Sequence, residues 1–204
     1  MDKYNVYQDM SRRTGGEIYL GIVGPVRTGK STFIKRFMEL VVIPEMSDDN
    51  EKVRTIDELP QSADGKTIMT TEPKFIPKEA AVIHFSNQET GKIRLIDCVG
   101  YLVPEAVGAI EEEKERMVKT PWSEEEIPFS KAAEIGTSKV IREHSNLGLI
   151  ITTDGSFGDI PAVNFEEALQ KTVMECEKAG KPFLILVNTS RPDSQETIQF
   201  TKRL

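Results

Sequence analysis

The sequence predicts a three-layer α/β domain with a mostly parallel β-sheet and one antiparallel hairpin. Four apolar runs are continuous rather than alternating, which is typical of strands that helices cover on both faces. Helical patterns fill the intervals between these runs. A further stretch, "AAVIHFSNQETGKIRLID", predicts two antiparallel strands around a turn at residues 89–91.

Strands and helices alternate along most of the chain. The predicted strands are residues 18–23, 93–99, 147–153 and 183–188, and the predicted helices are residues 29–41, 130–144 and 164–179. Two segments, residues 44–78 and 101–130, have no regular pattern, and stretches this long inside a domain are usually functional loops. We interpret them as switch-like segments, with two solvated surface insertions as the alternative.

The composition is that of an ordinary globular domain. The chain has 204 residues, of which 38% are hydrophobic and 29% charged. Its formal net charge of −7 argues against nucleic-acid binding, because neutralising phosphates needs clustered Lys and Arg. No run approaches the roughly 20 apolar residues of a membrane-spanning helix, so direct membrane insertion is not expected. The two cysteines are expected to be reduced thiols of a cytoplasmic protein.

The stretch "GPVRTGKS", residues 24–31, follows the first apolar run and precedes the first helical pattern. Its spacing is that of a phosphate-binding loop, in which backbone amides point at the phosphates. The lysine reaches the β- and γ-phosphates, and the serine hydroxyl holds Mg²⁺. The predicted nucleotide contacts are Gly24, Arg27, Thr28, Gly29, Lys30, Ser31 and Thr32. We therefore divide the chain into an N-terminal helical extension, residues 1–16, and a P-loop NTPase domain, residues 17–204, expected to be truncated before downstream domains.

A second motif follows the second apolar run. Asp97 ends that strand and Gly100 comes three residues later, which is the D-x-x-G spacing of nucleotide switch proteins. The carboxylate is expected to hold Mg²⁺ and the Gly100 amide to bond the γ-phosphate. Between the motifs, "TIMTTEP" offers the threonine that such switches need, and either Thr70 or Thr71 fits, with Thr67 a weaker third. The predicted catalytic residues are Lys30, Thr70, Thr71 and Asp97, and the predicted metal ligands are Ser31, Thr70, Thr71 and Asp97.

The residues after the last apolar run predict the nucleotide. Guanine-specific relatives carry N-K-x-D there, whose aspartate accepts two bonds from guanine, whereas residues 188–191 here are "NTSR". Each lost charge-assisted bond is worth about 1.5–3 kcal/mol, so guanine preference should disappear. We predict ATP, with Asn188 and Arg191 at the base; Asp193 could substitute for the aspartate if the loop runs longer. The stretch "TTDGSFGDI", residues 152–160, forms part of the base or ribose wall or is an ordinary turn.

Turnover is expected to be slow. Ras-like switches place a water-orienting glutamine directly after the D-x-x-G glycine, and this chain has Tyr101 there. The group that assists hydrolysis must therefore come from the acidic stretch that follows, from a neighbouring subunit or from an arginine. Arg27 is one candidate, although a solvated loop residue is the simpler interpretation.

Several stretches together resemble the stage IV sporulation protein A family, and the resemblance covers nearly the whole chain. They are "GGEIYLGIVGPVRTGKSTFIKRFMELVV", "DELPQS", "GKTIMTTEPKF", "IRLIDCVGY", "TPW", "AAEIGTSKVI" and "ITTDGSFGDI". The resemblance implies an ATP-binding domain, related to translation-factor-class GTPases, that hydrolyses ATP to drive irreversible self-assembly into the base of the spore coat. It also implies a place in the mother-cell cytoplasm at the outer forespore membrane. The implied partners are other copies of the chain, a small amphipathic membrane-anchoring peptide and other coat morphogenetic proteins.

Other functions remain open at the level of sequence. A regulatory switch, using ATP or GTP, would cycle between partners without polymerising. A structural module would keep the fold without hydrolysis, which Tyr101 makes conceivable. A metabolic P-loop kinase is less well supported, because the sequence shows no cluster of arginines for an acceptor.

Overall fold

We describe the protein from a computed structural model, which gives residues 16–60, 72–84, 90–106, 110–111 and 114–204. The strands in chain order are β1 Glu17–Val23, β2 Lys74–His84, β3 Thr90–Asp97, β4 Ile110–Glu111, β5 Lys114–Glu115, β6 Met117–Thr120, β7 Ser123–Pro128, β8 Leu147–Thr153 and β9 Phe183–Asn188. The α-helices are α1 Lys30–Phe37, α2 Asp49–Glu58, α3 Phe129–Lys139, α4 Glu166–Lys178 and α5 Gln195–Thr201. A π-helical turn extends α1 over Met38–Val42 and another extends α3 over Val140–His144.

The main sheet has five strands in the order β2-β3-β1-β8-β9. Strands β3, β1, β8 and β9 are mutually parallel, and β2 pairs antiparallel with β3. The predicted mostly parallel sheet and its antiparallel hairpin are therefore confirmed. In register, Ile22 lies beside Asp97 and Thr153 beside Asn188. Because parallel strands end at one edge of a sheet, the loops after β1, β3, β8 and β9 meet there.

The core lies on both faces of this sheet, which gives the three predicted layers. On one face, α1 buries Ile34 and Met38 against Ile22 and Leu95. On the other face, α4 and the π-helical turn after α3 pack against the sheet through a second cluster, which includes Val140, Ile141, Leu169 and Cys176. Burying each large aliphatic side chain stabilises the fold by about 1.5–3 kcal/mol, so this double coverage holds the strand ends in place.

Both segments predicted to be irregular contain regular structure. Residues 44–78 include α2, which the Asp48 side chain caps by accepting from the Asn50 amide at 2.7 Å. Strand β2 begins at Lys74, earlier than expected, and its register shifts between Ile76 and Ala81 around Pro77, which cannot donate to a ladder. Residues 101–130 include the β6–β7 hairpin and the short β4–β5 pair.

Two further expectations concern the ends of the chain and membranes. Residues 1–15 of the predicted helical extension lie outside the described residues, so the domain boundary stays a prediction. Within the described parts of the chain, each helix is too short or too polar to cross a bilayer.

Candidate functional site

The phosphate-binding loop lies between β1 and α1, which is the context that its motif requires. Gly24, Arg27 and Gly29 have positive φ angles of 124°, 65° and 91°. Such left-handed residues turn successive amides toward one concave side, where an anion can be held at the start of α1. The Thr28 hydroxyl, fully buried, donates to the Pro25 carbonyl at 3.0 Å and closes the loop on itself. The loop therefore has an internal hydrogen bond that supports its conformation.

Two predicted contacts at this loop face solvent. Arg27 is exposed, in agreement with its interpretation as a solvated residue, and Thr32 is exposed on the first turn of α1. Neither side chain is held by a hydrogen bond in the described part of the structure. Their proposed contacts with a nucleotide stay predictions.

Lys30 is a cation buried against the loop that precedes it. It is 5% exposed, and its Nζ donates to the Pro25 carbonyl at 2.5 Å and to the Gly24 carbonyl at 3.4 Å. Burial lowers the pKa of Lys30, while the nearby Asp97 carboxylate acts in the opposite direction. A buried ammonium that contacts carbonyl oxygens lacks a full counter-charge, and phosphate oxygens would supply one.

Ser31 and Asp97 meet beside Lys30, although they come from different elements. The Ser31 hydroxyl donates to Asp97 Oδ2 at 2.9 Å. Asp97 Oδ1 is buried and has no hydrogen-bond partner among the described residues. Burial raises the pKa of Asp97, and the Ser31 hydrogen bond and the Lys30 charge offset part of this rise.

This pair has the chemistry of a magnesium site. A hydroxyl and a carboxylate are hard oxygen ligands of the type that Mg²⁺ prefers. A divalent cation would compensate the desolvated carboxylate and give Oδ1 a partner. The residues present therefore fit Mg²⁺, and Ser31 and Asp97 are the ones that would hold it.

The segment after β3 is joined to the phosphate-binding loop. The Val26 amide donates to the Tyr101 carbonyl at 2.9 Å, and Pro25 forms a parallel bridge with Tyr101. The Gly100 amide donates to Thr137 Oγ1 at 3.2 Å. Its predicted bond to the γ-phosphate stays a prediction, and that bond would compete with Thr137.

Tyr101 packs into the core and does not line the site. It is 3% exposed and belongs to a small cluster with Val26 and Phe165. The Lys171 ammonium lies 4.7 Å from the centre of its ring. Burial raises the pKa of the Tyr101 hydroxyl well above its usual range. A neutral, buried phenol leaves the orientation of an attacking water to another group.

Asn188 joins the end of β9 to the same loop on its other side. Its Nδ2 donates to the Thr28 carbonyl at 3.1 Å, and a Cβ at Gly29 would lie 2.5 Å from that nitrogen. Arg191 is exposed, with its guanidinium 3.7 Å from the Glu196 carboxylate. Asp193, the possible substitute for the guanine-reading carboxylate, is also exposed. Stacking of Arg191 on a base stays a prediction.

A polar network that the sequence did not predict lies next to Asn188. The Asp154 carboxylate accepts from the Ser156 amide at 3.0 Å and from the hydroxyls of Thr189 and Thr197 at 2.6 and 2.9 Å. One signal was available in the sequence, because Asp154 belongs to the glycine-rich stretch 152–160 considered as a base or ribose wall. Its partners come from two other segments, so their convergence is visible only in the fold.

The threonine expected to sense the γ-phosphate falls outside the described residues. Thr67, Thr70 and Thr71 all fall in residues 61–71, outside the described residues. The choice between Thr70 and Thr71 therefore stays open.

Comparison with known proteins identifies close relatives. A family described as "Stage IV sporulation protein A, ATPase domain" matches residues 1–204. The chain is 56% identical over 197 residues to stage IV sporulation protein A of Bacillus subtilis (strain 168), which covers 97% of this chain and 40% of the relative. The same comparison gives 53% over 204 residues for Bacillus anthracis, with 100% and 42% covered, and 49% over 200 residues for Clostridioides difficile (strain 630), with 98% and 41% covered. The chain thus spans about two fifths of the length of these curated relatives.

Proposed function

This chain belongs to the stage IV sporulation protein A family and carries its ATPase domain, and from that premise we propose that it is a Mg²⁺-dependent ATPase. ATP binding and hydrolysis change its conformation and drive its self-assembly into a scaffold layer beneath the spore coat. The observation that supports the enzymatic part is the joint placement of buried Lys30 and a partly buried serine–aspartate pair where the end of β3 meets the start of α1. Lys30 and Asp97 influence each other's charge but form no ion pair among the described residues, and a magnesium triphosphate would supply a direct charge partner to each.

The residues of the chain divide the binding work. Lys30 exchanges its loop carbonyls for phosphate oxygens, and the amides of residues 27–31 bind the remaining phosphate charge. Ser31 and Asp97 would hold Mg²⁺, which would supply positive charge to the phosphates. Thr70 or Thr71 would supply a further hydroxyl to the metal. The Gly100 amide binds the γ-phosphate after it leaves Thr137.

Hydrolysis is slow because the chain has no glutamine after Gly100. Tyr101 occupies that position and is buried against Phe165, so it cannot orient water as an amide does. The water must be oriented by another group, and a second copy of the chain is one source. Turnover that depends on protein concentration is therefore expected.

The nucleotide is ATP rather than GTP. Arg191 stands where guanine-specific relatives have a carboxylate, and a guanidinium cannot accept bonds from guanine. The Asn188 amide, which such relatives share, keeps its contact with the phosphate-binding loop at Thr28. The chain thus keeps the contact that supports the phosphate-binding loop, but it lacks the carboxylate that binds guanine.

The biological setting follows from family membership. We place the protein in the mother-cell cytoplasm, at the surface of the outer forespore membrane. Its partners are further copies of itself, a small amphipathic peptide that anchors the layer to the membrane, and other coat morphogenetic proteins. Binding to nucleic acid is not part of this function.

One experiment tests the enzymatic and the assembly steps together. Hydrolysis of ATP and of GTP is measured side by side over a range of protein concentrations, with sedimentation at each point. We expect ATP turnover that rises with concentration, little GTP turnover, and pelleted protein only after hydrolysis. Lys30→Ala should abolish both ATP turnover and pelleting, whereas Lys35→Ala, which removes a partly exposed charge from the same helix, should abolish neither.

Each part of the proposal has its own contrary result. Equal ATP and GTP turnover would contradict the base assignment. ATP binding with rapid, reversible exchange and a monomer in both states would favour the regulatory switch. Binding without turnover at every concentration would favour a structural module.

A further inference from the structure

The loops after β8 and β9 are held together by one carboxylate. Asp154, in the loop after β8, uses Oδ2 to accept from the hydroxyls of Thr189 and Thr197 and Oδ1 to accept from the Ser156 amide. Ser156 returns two bonds to the second loop, because its hydroxyl accepts from the Ser190 amide at 2.8 Å and its carbonyl accepts from the Ser190 hydroxyl at 3.1 Å. Three separate segments are therefore fixed to one another around Asp154.

This cluster lies on the nucleoside side of the proposed site. The sheet order places β3, with the metal-holding Asp97, on one side of β1, and β8 and β9 on the other. Asn188, at the end of β9, touches the phosphate-binding loop at Thr28, and Thr189 comes next. Since Asp97 marks the γ-phosphate and metal side, the nucleoside extends toward the loops after β8 and β9.

Asp154 controls the backbone of the second loop through Thr189. The Thr189 hydroxyl donates to Asp154 and accepts from the Arg191 amide at 3.1 Å. Asp154 also anchors the first turn of α5, where Thr197 Oγ1 accepts from Ser194 Oγ at 3.0 Å. The positions of Thr189 and Arg191 therefore depend on a group that does not itself need to touch the ligand.

The carboxylate accepts three hydrogen bonds from its own chain. Partial burial alone would raise the pKa of Asp154, but the bonds from Ser156, Thr189 and Thr197 outweigh it and lower the pKa to about 2. Asp154 is thus ionised throughout the physiological range. Its own chain occupies three of its roughly four acceptor sites, so it cannot accept the two bonds that guanine donates to the missing carboxylate.

We propose that Asp154 is the positioning residue of the nucleoside side of the site, holding Thr189 and Arg191 where the adenosine part of ATP binds. The proposal rests on the proposed function, because it presumes that the phosphate-binding loop holds ATP. In this proposal the loops that Asp154 joins bind the nucleoside, whereas the phosphates are bound elsewhere in the site.

The test compares a ligand that has a nucleoside with one that has none. Dissociation constants for Mg²⁺–ATP and for Mg²⁺–inorganic triphosphate are measured by calorimetry, together with KM and kcat for ATP. Asp154→Ala should raise the dissociation constant and KM for ATP by about tenfold or more, the effect of losing at least one charge-assisted hydrogen bond. The triphosphate constant and kcat should change less than about twofold, because Lys30, Ser31 and Asp97 are left in place.

Other variants separate positioning from general damage. Thr189→Val removes the hydroxyl but keeps the shape, and should reproduce the effect without adding to that of Asp154→Ala. Thr189→Ser keeps the hydroxyl and should restore normal KM. Asp159→Ala, an exposed carboxylate on the same loop, is the matched control and should leave both constants unchanged. If Asp154→Ala does not fold, Thr189→Val against Thr189→Ser decides the question alone.

The failure of this inference is distinguishable from that of the proposed function. A parent protein that binds neither ligand overturns the proposed function and the inference with it. If the parent binds ATP, and Asp154→Ala and Thr189→Val bind it with the same affinity as the parent, the inference alone is overturned. A variant that loses triphosphate affinity as much as ATP affinity also overturns the inference alone, because the effect would then reach the phosphate side.

Discussion

Replacing Gly100 by alanine is expected to damage the phosphate side of the site by moving the phosphate-binding loop. Gly100 has a φ of +94°, and a Cβ added there would lie 2.2 Å from the Gly24 carbonyl oxygen and 2.7 Å from Lys30 Nζ. The end of the lysine is flexible and can move away. The Gly24 carbonyl belongs to the backbone of the loop itself, so relief of that contact requires the loop to shift.

The size of the effect can be separated into two parts with a matched control. Gly158 has a φ of +76°, and an added Cβ there would have no described atom within 4 Å. Gly158→Ala therefore measures the left-handed backbone strain alone, about 1–2 kcal/mol. Gly100→Ala adds overpacking of about 1–3 kcal/mol to the same strain. For a chain of this size each kcal/mol lowers Tm by about 2–4 °C.

The assay is thermal unfolding combined with titration of Mg²⁺–ATP. Gly158→Ala should lose a few degrees of Tm and keep the affinity of the parent. Gly100→Ala should lose more and bind Mg²⁺–ATP at least about tenfold more weakly, which corresponds to 1.4 kcal/mol. Equal Tm losses in the two variants, with equal affinities, would refute the argument that Gly100 sets the position of the loop.

Three other predictions follow from the same geometry. Because burial raises the pKa of Asp97, the contribution of this carboxyl to stability falls as the pH rises from its ordinary pKa to its pKa in the folded protein. Asp97→Asn should therefore keep or raise Tm at pH 7 without Mg²⁺, and it should lose the Tm increase that Mg²⁺–ATP gives the parent. A lower Tm of the variant without metal would contradict this. Asn188→Ala should lower stability by about 0.5–1.5 kcal/mol in urea unfolding, because the Thr28 carbonyl loses its donor, and an unchanged midpoint would show that the contact is unimportant. Since the pKa of Asp154 is lowered from 3.8 to about 2, the ionised carboxylate stabilises the fold above about pH 4, and this stabilisation is lost as the pH falls to about 2. The difference in urea midpoint between the parent and Asp154→Asn should therefore shrink over that pH range. A constant difference would argue against this role of Asp154.

The central strands could be predicted from sequence because helices cover them on both faces. Leu147–Thr153 was predicted with its observed bounds, since a buried parallel strand is a continuous apolar run. Phe183–Asn188 was also predicted with its observed bounds, although this edge strand leaves Leu184 and Leu186 61% and 38% exposed. Helix α2 was missed for the opposite reason. Only Thr55 is buried in it, while Val53 and Ile56 are 60% and 52% exposed, so no apolar stripe marks a helix. The Asp48 cap was the available signal.

The parts of the candidate site that could be predicted are those whose residues lie close together in the sequence. The loop from Gly24 to Ser31 carries its spacing within eight residues, and Asp97 with Gly100 carries a second spacing. The Asp154 network joins residues that are 35 and 43 positions apart through single hydroxyls. Serine and threonine hydroxyls are common in any loop, so only the register of β8 with β9 brings these particular ones together.

The segment after β3 links the site to a helix on the surface of the domain. Tyr101 contacts the phosphate-binding loop through its backbone, and its ring packs with Phe165 and Ala168 at the start of α4. Lys171, one turn further along α4, lies over the ring. Gly100, next to Tyr101, is the residue whose amide would leave Thr137 to bind a γ-phosphate. A movement of Gly100 would therefore displace the neighbours of Tyr101 in α4, because a buried ring cannot move without displacing the groups packed around it. The tyrosine that stands where related switches have a glutamine thus joins the phosphate-binding loop to α4 by direct packing.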